Sequence, residues 1–226
     1  MSPVARYRVP ADLPLSLPVF PLRGAILLPR AALPLNIFEP RYLAMLNDTI
    51  AGARVLGIIQ PADAAEGVES PTGKTSRLRR IGCAGRVTAF QELDDGRLVI
   101  TLTGIARFEV VKEIPSVTPY RICEVRYDAF ASDLEPGRGE DGVDREHLLH
   151  TLEAYLERRK MRVDWRAIST ATTEFLVNGL SVMSPHGPEE KQALLEAPDL
   201  PSRAKILVTL AEMELAGGGG ETSTLQ

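Results

Sequence analysis

The sequence predicts an α+β fold: an N-terminal antiparallel β pseudo-barrel with one short helix, then a C-terminal α-helical bundle. Residues 85–114 carry the clearest β signals of the chain: they contain Asp95-Gly96, a favoured pair for a tight hairpin turn, and alternate with a period of two beyond it. Beyond residue 143 the apolar spacing lengthens to that of a helix, with Leu148, Leu152 and Tyr155 on one stripe. Between them "ASDLEPGRGEDGV" (131–143) is rich in Pro, Gly and acid and reads as a linker. The expected parts are a loose tail (1–12), the barrel (13–130), the linker (131–143), the bundle (144–215) and a flexible Gly-rich tail (216–226).

In chain order, "LSLPVFPL" (15–22), "AILLP" (25–29) and "ALPLNIF" (32–38) are short apolar runs broken by prolines. Proline cannot donate to a ladder, so these runs suit strand ends, edges or bulges. The period then changes. Pro40 suits a first helical turn and Gly52 a stop, and Leu43, Leu46 and Ile50 share a face, which predicts a helix over 40–51. "RVLGIIQ" (54–60) is a buried strand, and 61–78 a loop. In the hairpin Leu98, Ile100 and Leu102 alternate with Val99, Thr101 and Thr103, and Arg107 and Glu109 alternate with Phe108 and Val110. In "YRICEVRYDAF" (120–130) Cys123, Val125 and Tyr127 share one face and Glu124, Arg126 and Asp128 the other. Such spacing suits a small barrel with a wet exterior. In the bundle Ile168, Phe175, Leu176, Leu180 and Met183 form a second stripe. "GPEEKQALLEA" opens a third helix at Gly187 and Pro188, and "PSRAKILVTLAEMEL" is a fourth.

With 226 residues, 44% hydrophobic and 25% charged, the chain can bury a sizeable core. Net charge is −4 and arginines outnumber lysines 21 to 5, with no basic stripe interleaved with aromatics. Nucleic acid is therefore disfavoured as a partner. Cys83 and Cys123 sit in apolar strand-like sequence and are expected as reduced, buried thiols. No signal peptide and no run of about 20 apolar residues is seen, so a cytoplasmic protein is expected, with no membrane partner.

"GVESPTGKTS" (67–76) imitates a phosphate-binding loop through Gly73, Lys74 and Thr75. The motif sets four residues between its glycines, whereas five separate Gly67 from Gly73. A buried strand before the loop and a helix after it are also missing. No nucleotide or other cofactor is expected. Asp144, His147 and His150 stand at helical spacing, but a metal centre needs three or four converging ligands, and none is expected.

The segment "LPVFPLRGAILLPRAALPLNIFEPRYLAML" resembles the start of the N-terminal domain of Lon proteases, where an "LP-x-F-P-L" strand leads to "P-L-x-I-F-E-x-R-Y". "GCAGRV", "GIARFEV" and "KQALLEA…R" follow in the family's order, and the resemblance spans about residues 13–215. It implies a PUA-like pseudo-barrel followed by a helical bundle, with a role in recognising substrate polypeptides and supporting assembly. In full-length Lon an AAA+ ATPase module and a Ser-Lys peptidase module follow. The peptidase motif has no counterpart here: Ser181 and Ser184 lie in the helical part, and Lys191 reads as a surface residue. The resemblance thus implies a free-standing, non-enzymatic substrate-binding domain. Its expected partners are unfolded or partly folded polypeptides and a protease or chaperone. The alternative is an RNA-binding PUA-like protein.

Candidate binding residues come from two places. In "RGAILLPRAALP" the prolines limit regular pairing, so Leu28, Leu33 and Leu35 are candidates to line a groove for polypeptide. Trp165, between charged and helical sequence, is a further contact candidate. In "FEPRY", Glu39 is expected to cap the helix, Arg41 and Tyr42 to lock helix to barrel, and Phe38 to be core.

Overall fold

The computed structural model describes residues 4–62, 76–159 and 164–217. Among the described residues six strands form one sheet: β1 (Ser16–Pro21), β2 (Ala32–Ile37), β3 (Val55–Pro61), β4 (Leu78–Glu92), β5 (Leu98–Ile114) and β6 (Arg121–Arg126). The spatial order is β2-β5-β4-β3-β1-β6, and β5 also pairs with β6, which closes β1, β3, β4, β5 and β6 into a ring. All pairings are antiparallel except β1 with β3, which run parallel with Val19 opposite Gly57.

β5 organises the barrel. One side pairs with β4 through most of its length. On the other side its first half pairs with β2 and its second half with β6. Between these halves stands Gly104, where an added Cβ would fall 1.9 Å from the Leu28 carbonyl oxygen. Only a residue without a side chain lets the 25–29 segment cross that closely. "AILLP" is accordingly not a strand: only Pro29 makes an isolated bridge, to Gly104.

Among the described residues two large apolar clusters result, beside a small one of Leu152, Tyr155 and Leu156. One fills the barrel with Leu17, Val19, Ile59, Phe108, Cys123 and Val125, and Val4 and Tyr7 join it. The N-terminal stretch from residue 4 is thus packed, not loose. The other cluster joins β2, α1 (Pro40–Ala51) and the helical part, from Phe20, Leu27 and Met45 through Val177 to Leu194 and Leu207.

The helices of the second part are α2 (Arg145–Arg158), α3 (Trp165–Thr170), α4 (Thr173–Met183), α5 (Pro188–Glu196) and α6 (Leu200–Gly217). The expected Ile168-to-Met183 stripe is split, because Thr172 begins a new helix by accepting the Phe175 N–H at 3.2 Å. Phe175 and Met183 consequently face solvent.

The expected linker is built structure. Asp128–Leu134 and Glu140–Gly142 are 3-10 helices, and Asp133 and Leu134 are buried. Asp133 anchors the junction. Its carboxylate accepts the Arg107 backbone N–H at 2.9 Å and both Nε and Nη2 of Arg107 at 2.8 Å. Arg107 Nη1 donates onward to the Leu195 and Ala197 carbonyls at the end of α5. Arg107 is 2% exposed and Glu109 is also buried, which corrects the wet exterior expected for this half of β5: the Asp128–Leu134 turns cover that face.

Candidate polypeptide-binding surface

β2 is the edge of the sheet: among the described residues only β5 pairs with it. The bond pattern follows from one contact. The Gly104 N–H donates to the Ala31 carbonyl at 2.9 Å, which makes Ala32 and Thr103 a non-hydrogen-bonded pair. Alternation then turns the main-chain groups of Leu33, Leu35 and Ile37 toward β5. Those of Ala32, Pro34 and Asn36 turn away from it. Pro34, having no N–H, sits where no ladder bond is lost. The free edge therefore offers three carbonyls and two N–H groups, and the side chains of Ala32, Pro34 and Asn36 are exposed beside it.

Leu33 and Leu35 lie on the opposite face, half-buried against the shared apolar cluster. Leu28 does not join them. It is 0% exposed, held under Gly104, and is a core residue with no surface to offer. Phe38, expected in the core, is instead 63% exposed just past the strand. The aromatic that does pack inward is Tyr42, whose ring lies 4.1 Å from that of Phe20. Glu39 occupies the N-cap of α1, but its side chain makes no capping bond and accepts from Arg41 Nε at 3.0 Å. No charged residue lies between Ala31 and Phe38.

Trp165 stands apart from β2. It is 38% exposed and lines an open cleft of about 560 Å³ whose other walls are residues 144–153 and 168–169, among them Leu149, Ile168, Glu146 and Glu153. The structure thus brings Leu33 and Leu35 together and separates both from Trp165.

The groups that chemistry would need are otherwise engaged. Lys191 is 2% exposed, not at the surface. Its Nζ donates to the Ser181 and Val182 carbonyls at 2.8 and 2.7 Å, closing the end of α4, and burial lowers its pKa to about 8. The Ser181 hydroxyl is buried and donates to the Val177 carbonyl at 2.7 Å. Burial pushes the Cys123 thiol up to about 11 and raises Cys83 as well, so neither is a ready thiolate. Among the described residues no three His, Cys, Asp or Glu side chains converge as a metal set. His147 Nε2 instead faces Glu212 at 3.2 Å. The Gly67-to-Ser76 motif falls almost wholly outside the described residues. Sequence reasoning missed Arg107, Asp133 and Gln60. Gln60 accepts the Gly24 N–H and donates to the Pro188 carbonyl and to Gln192. The available signal was a polar residue inside an apolar strand.

The described residues thus form a closed barrel that carries β2 as a spare edge strand and is locked onto a helical bundle. Comparison with known proteins gives it a family: the chain belongs to the ATP-dependent protease La (LON) substrate-binding domain family, whose model matches residues 16–212. It is 27% identical over 206 residues to Lon protease 2 of Myxococcus xanthus, covering 88% of this chain and 24% of that protein. To Lon protease of Flavobacterium johnsoniae it is 28% identical over 115 residues, covering 51% of this chain and 14% of that protein. The chain spans about a quarter or less of these curated relatives, and the match lies in their substrate-binding domain, not their protease domain. Among solved structures it is similar to a Lon N-terminal domain protein from Xanthomonas campestris. The TM-score is 0.59 and identity 25%, covering 86% of this chain and 97% of that one. The N-terminal domain of Mycobacterium avium complex Lon protease shares the fold at a TM-score of 0.64 and 19% identity, over 87% of this chain and 98% of that one. No helix among the described residues is long and apolar enough to cross a membrane.

Proposed function

We propose that this domain recognises unfolded or extended polypeptide along the free edge of β2, does no chemistry of its own, and works in the cytoplasm beside a protease or chaperone. One observation carries the reading: an uncharged, solvent-facing edge strand with main-chain groups to spare and Leu33, Leu35 and Phe38 beside it. Edge strands are ordinarily blunted with charge or proline; β2 has no charge, and its Pro34 removes one outward donor but leaves three carbonyls and two N–H groups. Strand addition uses such edges, main-chain bonds supplying affinity and alternate side chains specificity. The substrate-binding family agrees with it.

Affinity for a reduced, unfolded client should be micromolar or weaker, about −8 kcal/mol or less in magnitude. Phe38→Ser should weaken that binding several-fold and leave the melting temperature within about 2 °C, since the ring is mainly in solvent. Unchanged binding by this variant and by Leu35→Ser would place the site elsewhere. The purified chain should hydrolyse neither ATP nor casein. Turnover that disappears on Lys74→Ala or Ser181→Ala would refute that part.

A further inference from the structure

We infer that the segments this edge selects are β-amphipathic: extended chains with an apolar side chain at every second position and a free N–H at each position between. This rests on the reading of β2 as the docking edge and adds which sequences dock there.

The bond pattern fixes the ligand's register. Ala32, Pro34 and Asn36 turn three carbonyls outward but only two N–H groups, because Pro34 has none. An incoming antiparallel strand therefore donates three N–H groups and receives two. The three donors belong to alternate ligand residues, those opposite Ala32, Pro34 and Asn36. Proline is barred from all three positions and tolerated between them.

Side chains follow the same alternation. Residues opposite each other on neighbouring strands share a face. The ligand's donor positions thus stand beside exposed Ala32, Pro34 and Asn36, a solvent-facing strip continued on β5 by half-buried Thr103 and Thr101 and exposed Val99, where polar side chains keep their water. The positions between share the face of Leu33 and Leu35. There α4 packs against β2 and Leu33 and Leu35 stand half-buried on the shared apolar cluster, so apolar side chains gain most. Apolar residues spaced three and four apart, as in an amphipathic helix, cannot fill two successive positions of that face.

The same pattern argues against a second copy as occupant. Two β2 edges paired antiparallel about Pro34 would set proline against proline, with no N–H on either side at the centre.

The test uses the full chain and three labelled peptides of one composition, read by fluorescence anisotropy. One alternates apolar and polar residues. The second is permuted to helical spacing. The third alternates but is N-methylated at its polar positions. The first should bind about tenfold tighter than the other two. Equal binding of the first two overturns the inference and leaves the docking reading intact. Undiminished binding of the third overturns it by removing main-chain pairing. If none binds, the docking reading itself fails. A dimer in light scattering that dissociates on Asn36→Pro would show the edge filled by a second copy and also overturn it.

Discussion

Removing the guanidinium from Arg107 would leave Asp133 buried without its cation and the Leu195 and Ala197 carbonyls without their donor. Arg107→Leu should therefore cost about 3–5 kcal/mol in urea unfolding, and the double change with Asp133→Leu should recover the part due to the unpaired carboxylate, though not the part due to the carbonyls of Leu195 and Ala197. A double variant no more stable than the single would deny that the pair is coupled. Lys191 gives a pH signature. Burial lowers its folded pKa to about 8 from 10.5, so between these values the unfolded chain holds the proton that the folded chain has released. Stability rises with pH in that window, and below about pH 8 both states are charged and the burial cost is fully felt. The stability of wild type relative to Lys191→Met should climb by roughly 1 kcal/mol per pH unit from pH 8.5 to 10. A flat difference would mean that the ammonium is solvated. Leu28 against Leu33 shows what single residues conceal: both sit in apolar, proline-broken sequence. What separates core from half-exposed surface is the crossing under Gly104, a contact 76 positions away from Leu28.

At the scale of elements the sequence was most readable where its period was local. The 40–51 helix and the Gly187-Pro188 helix start stand where spacing and caps put them. The Asp95-Gly96 turn does too, with Gly96 in the left-handed region at φ 79. The edge character of β2 was legible in Pro34, but its partner was not, since β5 lies more than sixty residues on. Composition misled at 131–143. Pro, Gly and acid there make 3-10 turns, because Glu174 accepts the Gly137 N–H at 3.0 Å and Glu140 accepts the Glu174 N–H at 2.8 Å. Limited proteolysis should accordingly spare 128–143 for as long as the barrel strands survive. An early cut after Glu135 or Arg138 would show that these bonds do not hold the segment.

On the scale of the whole molecule, barrel and bundle are expected to unfold as one. A single apolar cluster runs from Phe20 and Leu27 to Leu194 and Leu207, so neither part can open without exposing the other's core. Polar links cross the same boundary. Arg30 holds Glu174 and donates to the Asp133 carbonyl at 2.7 Å, Asn178 donates to the Pro29 carbonyl at 3.0 Å, and Gln192 reaches the Ile81 carbonyl at 3.3 Å. Each is given up if the parts separate and water takes its place, at about 0.5–1.5 kcal/mol net apiece. Domains joined by a true linker instead meet through smaller, more polar surfaces and move independently. Calorimetry should therefore show one transition with equal calorimetric and van't Hoff enthalpies. A fragment ending at Tyr127 should fail to fold alone, because it lacks Asp133 for Arg107 and the Val177, Leu194 and Leu207 side chains that complete the cluster holding Leu27 and Leu56. Two resolved transitions, or a folded barrel fragment by amide dispersion in NMR, would restore the picture of separable parts. In a cooperative unit β2 is held by both parts, along its inner edge by β5 in the barrel and by packing against α4 in the bundle. Peptide bound there should consequently raise the melting temperature of the whole chain and leave the transition single, as ligand linkage requires of a site present only in the folded state.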